Sequence, residues 1–349
     1  MMKVNYIIVG LGLAGIAFVE QLLQHGQSFI VYENNSQKSS RVAGGTYNPV
    51  ILKRFTPVWN GHSQLEKALP FYKALEDKLG VDLDTSFITK KIFTSIADQN
   101  NWFSALDKPM LSRYMNPKIS KEPLEGIHAD FGCGEVKGTG RIDTERLLNM
   151  YRGFLEDIDA IRYESFSYND VDISNTGIVY QDITTRYVVF CEGFGLKKNQ
   201  FFNYLPLNGT KGETLTIHAP ELRLQCLLKA SVFILPLGND FYKVGATFNW
   251  DDKTEDPTVE GRYELEDKLK KIITVPYTVT EQASGIRPTV KDRRPLVGKH
   301  PMYSNLAILN GMGTRGVMIA PTAAEALYRH LEHDEALDKD IDIKRFREL

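Results

Sequence analysis

Cysteine is scarce in this sequence, and neither sign of charge is in clear excess. The three cysteines, Cys133, Cys191 and Cys226, are odd in number and widely spaced, which excludes a disulfide framework and favours a reducing compartment. No cluster of cysteine and histidine has the spacing of a metal site, so we expect no metal. A formal net charge of −2 provides no field that would attract nucleic acid or an acidic membrane surface.

Long hydrophobic runs are missing as well. The one candidate, YIIVGLGLAGIAFV at residues 6–19, is too short to span a bilayer and lacks the basic region and cleavage site of a signal peptide. We therefore expect a cytoplasmic protein without a membrane segment. The 349 residues, 42% of them hydrophobic and 25% charged, suffice for one large or two medium globular domains.

The same N-terminal segment carries glycines in a specific order. A β-rich run precedes Gly10, Gly12 and Gly15, and an apolar helical pattern and a second β-rich run ending in Glu33 follow. Strand, glycine turn, helix, strand and acidic residue in this order form the Rossmann fingerprint of a dinucleotide site. Gly10 permits the tight turn, Gly12 lets the backbone approach a pyrophosphate, and Glu33 accepts hydrogen bonds from ribose hydroxyls. The motif alone leaves FAD and NAD open.

The rest of the chain combines helical and β-rich patterns. Helical spacing predicts a helix over residues 62–79, and Asp143 is a predicted N-cap of a second one. The run LPLGNDFYKVGATF at 235–248 predicts a hairpin that turns at residues 238–240. Near the C-terminus, strand, glycine turn and helix recur. We predict an α/β fold in which a discontinuous Rossmann-like domain (1–80, 136–205 and 285–349) carries an inserted β-rich, α+β substrate domain (81–135 and 206–284).

Seven segments, in this order, resemble one known family. They are IIVGLGLAGIAFVEQLLQHGQSFIVYE, GTGRIDTERLL, RYVVFCEGFG, LNGTKGETLTI, YKVGATF, SGIRPTVKDRRPLVG and NGMGTRGVMIAP. The chain thereby resembles the FAD-dependent oxidoreductases of the D-amino-acid oxidase and glycine oxidase superfamily. VAGGTYNPV and GMGTRGVMIAPTAAEAL are most similar to the oxidoreductase domains of enzymes that make 5-methylaminomethyl-2-thiouridine in tRNA.

The resemblance implies FAD as the cofactor and indicates which residues hold it. The implied contacts are Gly10, Gly12, Leu13, Ala14, Gly15, Glu33 and Asn34 at the ADP half, Gly44, Gly45 and Thr46 beside the isoalloxazine, Cys191 and Gly193 near the pyrophosphate, and Gly311, Gly313, Thr314, Arg315, Gly316 and Val317 at the pyrimidine end. Cys191 is expected to be a small buried hydrophobe rather than a reactive thiol. Because SGIRPTVKDRRPLVG contains no cysteine, we expect non-covalent FAD.

The resemblance also implies a place for the substrate. Arg287, in GIRP, occupies the position of an arginine that binds the substrate carboxylate, a task that suits the planar, permanently charged guanidinium. The alternative is an arginine paired with a nearby acid. Tyr47 and Tyr242 are candidates to wall the substrate pocket or else are ordinary core aromatics, and Thr247 is a candidate contact over the flavin.

The resemblance thus implies an enzyme that oxidises a carboxylate-bearing amine or amino acid to an imine, which water then hydrolyses. Such chemistry needs placement of the substrate over the flavin more than a catalytic triad. One alternative is a tRNA-modifying oxidoreductase that removes a carboxymethyl group from a wobble uridine, although the net charge does not favour tRNA as a partner. The other is a non-catalytic protein that binds flavin or NAD.

Overall fold

In the part of the chain that the structure describes, the strands form two mixed sheets of eight strands each and one two-stranded sheet. The computed structural model describes residues 2–174 and 177–346. The strands are β1 (Met2–Val9), β2 (Phe29–Tyr32), β3 (Thr46–Tyr47), β4 (Val50–Ile51), β5 (Thr56–Pro57), β6 (Asp84–Ile92), β7 (Cys133–Ile142), β8 (Ile161–Arg162), β9 (Val171–Ser174), β10 (Gly177–Tyr180), β11 (Ile183–Phe190), β12 (Leu207–His218), β13 (Leu227–Lys229), β14 (Phe233–Gly238), β15 (Phe241–Gly245), β16 (Thr278–Val290), β17 (Leu296–Lys299) and β18 (Leu306–Asn310). The α-helices are α1 (Leu13–Gln24), α2 (Ser39–Val42), α3 (Gly61–Leu79), α4 (Ile96–Leu106), α5 (Pro109–Ser112), α6 (Thr144–Asp157), α7 (Val259–Lys270) and α8 (Gly316–His333).

The first sheet brings together the ends of strands that are far apart in sequence. Its order is β17-β18-β11-β1-β2-β8, and β10 and β9 extend from β11. The strands β18, β11, β1, β2 and β8 run parallel. Val9 pairs in register with Tyr32 on one side and Phe190 on the other, so the carboxyl ends of these strands meet at one edge. The loops that follow them meet there too, which is where open α/β sheets bind ligands.

Apolar layers cover both faces of this sheet. Ile8 packs with the buried faces of α1, α3, α6 and α8, whereas its neighbour Ile7 packs into a separate cluster on the opposite face, with Phe166 and Phe202. Burial on both faces explains why the first strand is a continuous apolar run rather than an alternating one.

The second sheet is largely antiparallel and has the order β16-β12-β15-β14-β13-β6-β7-β3. Its longest pair joins β12 and β16, from Leu207 opposite Val290 to His218 opposite Thr278. The short strand β3 pairs with β7 directly after Gly44 and Gly45. The chain therefore passes from the nucleotide-binding edge of the first sheet into the second within a few residues.

These elements confirm the predicted α/β fold. The helix predicted at 62–79 is α3, and the predicted hairpin is formed by β14 and β15, with positive φ angles of 50° and 62° at Asn239 and Asp240. Asp143 caps α6 by accepting a hydrogen bond from the Arg146 backbone N–H. The division into domains stays a prediction, and its boundaries after residues 135 and 284 fall inside β7 and β16. In the described ranges, no helix is long and apolar enough to cross a membrane.

The first glycine turn generates a prediction about stability. A Cβ at Gly15 would lie 2.2 Å from the Gly10 carbonyl oxygen, so Gly15→Ala must push α1 away from β1. We expect Gly15→Ala to lower the free energy of unfolding by about 1–3 kcal/mol, measured by urea unfolding followed by circular dichroism.

Gly153→Ala is the matched control, because Gly153 lies inside α6 and its Cβ would meet nothing within 4 Å. It should raise stability by about 0.5–1 kcal/mol, since alanine restricts the unfolded chain. Equal unfolding midpoints for Gly15→Ala and the parent would contradict the proposed packing.

Candidate functional site

A cavity of about 1030 Å³ opens at the carboxyl edge of the first sheet and continues over the second. Its walls include the residues at the ends of four parallel strands, namely Val9, Tyr32, Cys191 and Asn310. The second sheet contributes residues of β12, β13, β14 and β16. Residues of both sheets therefore line one continuous cavity.

The first glycine turn supplies hydrogen-bond donors to the cavity. Gly10 has a φ of 96°, and a Cβ there would lie 2.7 Å from the Cys191 carbonyl oxygen. The helix α1 then begins without a side-chain cap, and its first residues, Leu13 and Ala14, line the cavity together with Gly12. Free N–H groups and the positive end of the helix dipole suit the pyrophosphate of a dinucleotide.

Glu33 stands beside this turn as the fingerprint predicts. One carboxylate oxygen accepts a 2.6 Å hydrogen bond from the Leu11 N–H, and the other accepts one of 2.6 Å from the Asn35 N–H. These bonds fix the carboxylate at the cavity wall, next to Asn34. Its remaining lone pairs are available to ribose hydroxyls.

Arg152, which sequence reasoning missed, also lines this end of the cavity. It is 9% exposed, and its Nη2 lies 3.9 Å from a Glu33 carboxylate oxygen. Its Nε and Nη1 atoms are buried without any hydrogen-bond partner among the described residues. Unsatisfied guanidinium nitrogens are costly, and ribose or phosphate oxygens are the partners that would satisfy them. This observation shows that the residues present fit a dinucleotide such as FAD.

The second glycine loop faces the same cavity between β18 and α8. Gly313, Thr314, Arg315, Gly316 and Val317 all line it, and α8 begins without a side-chain cap. Burial lowers the pKa of Arg315, and the charges of Arg293 and Arg294 lower it further. No acidic side chain in the described ranges pairs with Arg315, so its charge acts on the cavity. Such a charge would stabilise negative charge on a reduced flavin.

The loop at residues 44–46 closes the cavity from the side of the second sheet. Gly44, Gly45 and Thr46 line it. Gly45 has a φ of 63°, and a Cβ there would lie 1.9 Å from the Ile142 carbonyl oxygen. A glycine is therefore required for the loop to cross from one sheet to the other.

The segment after β11 contributes a buried thiol and a buried carboxyl. Burial raises the pKa of the Cys191 thiol, as expected of an unreactive cysteine. Burial also raises the pKa of Glu192 to about 7, although hydrogen bonds from Asn199 and Tyr168 oppose the shift. The Asn199 Nδ2 donates to one Glu192 oxygen at 2.7 Å, and the Tyr168 hydroxyl donates to the other. Gly193 follows at the wall of the cavity.

Arg287 extends from β16 into the other end of the cavity. Its guanidinium lies over Gly212, where a Cβ would come within 1.9 Å of Nη2, and 4.5 Å from the centre of the Phe248 ring. Its Nη1 donates to the Thr247 carbonyl at 3.3 Å. Burial lowers the pKa of Arg287 to about 10, so it is charged near neutral pH. It has no carboxylate partner among the described residues, unlike a structural arginine.

Lys229, at the end of β13, is a second cation that sequence reasoning missed. It lines the same cavity and stands 4.7 Å from the centre of the Phe233 ring. Burial, together with the charge of Arg287, lowers the pKa of Lys229 to about 8. A single lysine in a β-rich run carries no motif, so only the tertiary structure indicates this one.

Five residues predicted for the site do not line the cavity. Gly15 and Gly311 pack against protein, since a Cβ at Gly311 would lie 2.5 Å from Val290 Cγ2. Tyr47 and Tyr242 are buried, and the prediction that they wall the pocket needs correction.

The two tyrosine hydroxyls and Thr247 are engaged within the protein. The Tyr47 hydroxyl donates to Asp84 at 2.8 Å, and the Tyr242 hydroxyl accepts from the Leu224 N–H at 3.2 Å. Alternation in a strand identifies two faces but not which of them a ligand contacts. Thr247 is buried too, and it orients Arg287 through its carbonyl.

The other predicted residues meet at this one cavity. They are Gly10, Gly12, Leu13, Ala14, Glu33, Asn34, Gly44, Gly45, Thr46, Cys191, Gly193, Gly313, Thr314, Arg315, Gly316, Val317 and Arg287. Among the residues that the structure describes, no group of three or more histidine, cysteine or acidic side chains could hold a metal ion.

The buried Nε and Nη1 atoms of Arg152, which lack hydrogen-bond partners among the described residues, lead to a prediction about cofactor affinity. Arg152→Met should weaken binding of FAD to the apoprotein by about 10- to 100-fold, because charged hydrogen bonds to the ligand are lost. Titration followed by flavin fluorescence measures this.

Arg146→Met, on the exposed side of the same helix, should bind FAD as the parent does. The apoprotein with Arg152→Met should be at least as stable as the parent, since two unsatisfied buried nitrogens are removed. Unchanged FAD affinity in Arg152→Met would rule out the assigned role.

The raised pKa of Glu192 predicts a pH-dependent stability of the apoprotein. Below the ordinary pKa of 4.5 the carboxyl is protonated in both states, and above about 7 it is charged in both, so its burial costs most at high pH. Glu192→Gln should therefore gain about 2–3 kcal/mol in unfolding free energy relative to the parent between about pH 5 and about pH 8. Urea unfolding at both pH values measures it.

The exposed Glu221→Gln, in contrast, should show the same difference from the parent at both pH values. The assignment fails if the difference between Glu192→Gln and the parent does not change with pH.

Proteins that are similar to this chain indicate FAD as the cofactor. A family model described as FAD dependent oxidoreductase (DAO) matches residues 5–329. Glycine oxidase of Bacillus subtilis (strain 168) is 29% identical over 169 residues, which cover 46% of this chain and 44% of that protein. The tRNA 5-methylaminomethyl-2-thiouridine biosynthesis bifunctional protein MnmC of Legionella pneumophila (strain Corby) is 24% identical over 365 residues, which cover 92% of this chain and 53% of that protein. The chain thus spans about half the length of the curated relatives it matches.

The fold has close counterparts among solved structures. Glycine oxidase from Geobacillus kaustophilus matches with a TM-score of 0.82 at 18% sequence identity, over 99% of this chain and 98% of that one. Such low identity establishes the fold and not the substrate. The family model, by contrast, extends from the first strand almost to the end of α8 and includes both glycine loops and Arg287. The chain therefore belongs to the DAO family of FAD dependent oxidoreductases.

Proposed function

We propose that this chain oxidises an amine or amino acid that bears a carboxylate, using non-covalently bound FAD. The observation that carries the proposal is Arg287, a partly buried side chain that lines the cavity without an acidic partner among the described residues. The names of two relatives, glycine oxidase and MnmC, agree with an amine substrate.

The reaction follows from how these residues would hold such a substrate. Arg287 binds the carboxylate through two parallel N–H donors, while the Thr247 carbonyl and the Phe248 ring keep the guanidinium in place. Bound FAD supplies the acceptor of a hydride from the carbon next to nitrogen. The amine N–H proton passes to solvent as the C=N bond forms, and water then adds to give a carbonyl compound and a free amine.

A second candidate function is oxidation of a carboxymethylated amine on tRNA. The match to MnmC covers 92% of this chain, which favours this candidate. The amine, the carboxylate and the role of Arg287 would be the same, and only the remainder of the substrate would differ.

Arg287→Met tests the carboxylate clamp. Anaerobic flavin reduction by glycine or sarcosine should lose about 100-fold in kred/Kd, since a bidentate charged hydrogen bond is worth several kcal/mol. Reduction by N-methylethylamine, which has no carboxylate, should change by less than about 3-fold, since the clamp binds only the carboxylate.

Controls separate the candidates. Arg262→Met, on the exposed side of α7, should behave as the parent does. Flavin reduction by carboxymethylaminomethyl-bearing tRNA but not by free amino acids would favour the second candidate. If Arg287→Met reduced its flavin as fast as the parent at low substrate concentration, the clamp would be wrong. Flavin that stayed with the denatured protein would contradict non-covalent binding.

A further inference from the structure

Two cations face the substrate end of the cavity where a single carboxylate needs only one. Lys229 comes from β13 and Arg287 from β16, strands that are not neighbours in the second sheet. Each charge stands over an aromatic ring, Lys229 over Phe233 and Arg287 over Phe248. The two side chains are near enough that the charge of Arg287 lowers the pKa of Lys229.

Lys229 lacks the hydrogen-bond acceptors that two other buried or partly buried lysines, Lys211 and Lys243, have among the described residues. The ammonium of Lys211 donates to Asp252, Thr254 and the Asp256 carbonyl. That of Lys243 donates to the Val42 carbonyl at 3.4 Å. No hydrogen bond or ion pair joins Lys229 to any residue in the described ranges. A half-buried ammonium without acceptors is unfavourable unless a ligand supplies them.

The acidic side chains of the cavity are engaged elsewhere. Glu33 is held by two backbone N–H groups, and Glu192 by Asn199 and Tyr168. Asp98 accepts from Lys91 at 3.2 Å. Glu164, the remaining acid, is exposed at the nucleotide end. The excess positive charge around Lys229 and Arg287 is therefore not neutralised within the protein.

We propose that the substrate is a dicarboxylic amine, with one carboxylate held by Arg287 and the second by Lys229. This inference rests on the proposed function and narrows its substrate class. A second carboxylate satisfies the ammonium, removes the repulsion between the two cations, and fills a position that glycine or sarcosine leaves empty. The partly buried ring of Phe233 lies against the Lys229 ammonium and would limit the access of water to a charge pair there, which strengthens such a pair.

The first experiment measures binding without turnover. Malonate and acetate are titrated into oxidised holoenzyme, and the flavin difference spectrum or calorimetry gives Kd. Malonate should bind the parent at least about 10-fold more tightly than acetate, and Lys229→Met should abolish that advantage, since one charged hydrogen bond is lost. Lys229→Arg should retain most of it.

Lys90→Met is the matched control. Lys90 is a partly buried lysine on the neighbouring strand β6, paired with Leu228, and it does not line the cavity. Its substitution should leave both Kd values unchanged. Equal affinity of the parent for malonate and acetate would overturn the proposal.

The second experiment measures anaerobic flavin reduction by iminodiacetate and aspartate against sarcosine and glycine. Lys229→Met should lower kred/Kd for the dicarboxylates by about 10- to 100-fold and change it by less than about 3-fold for the monocarboxylates. An equal loss for both classes would assign Lys229 to another role and contradict the proposal. Failure of every amine to reduce the flavin, with the malonate preference intact, would refute the proposed function but not the dianion site.

Discussion

The orientation of α1 and the position of the second sheet both depend on one close contact. Three backbone segments meet there, at the carboxyl edge of the first sheet. Gly15 packs on the Gly10 carbonyl, and Gly10 packs on the Cys191 carbonyl, so neither contact leaves room for a Cβ atom. The start of α1 therefore lies directly against the backbone at the carboxyl ends of β1 and β11. Because of this contact, the first turn of α1 faces the cavity. The contact also fixes where the second sheet can approach, since residues 44–46 cross to it beside the same edge.

The cavity formed in this way is positively charged at both ends. Arg152 and the N-terminus of α1 serve the nucleotide end, Arg315 and the start of α8 the middle, and Lys229 with Arg287 the substrate end. Glu33 and Glu192 are held by backbone or side-chain donors, and Lys229, Arg287 and Arg315 have no acidic partner among the described residues. Burial raises the cost of leaving these cations unpaired, which supports the proposal that anionic ligands complete the site.

Residues packed around the Arg287 side chain support this end of the cavity. Gly212 leaves room for the Arg287 guanidinium, and Thr247 orients it through a backbone carbonyl. Tyr47 and Tyr242 belong to the packing of the second sheet, where their hydroxyls are satisfied by Asp84 and the Leu224 N–H. The precision of the site therefore comes from a shell of small and buried residues around a few charges.

The α/β fold and the nucleotide turn with Glu33 could be predicted from the sequence, because glycine spacing and strand–turn–helix order express local backbone requirements. The roles expected of the second glycine loop and of Arg287 came from the resemblance to a known family. Arg152 and Lys229 emerge as candidate ligand contacts, and Tyr47 and Tyr242 as buried residues away from the cavity, from the tertiary structure alone. An isolated charge or aromatic residue carries no local signal of its surroundings. Whether it finds a partner, a ligand or only apolar neighbours depends on chain segments that lie far away in sequence.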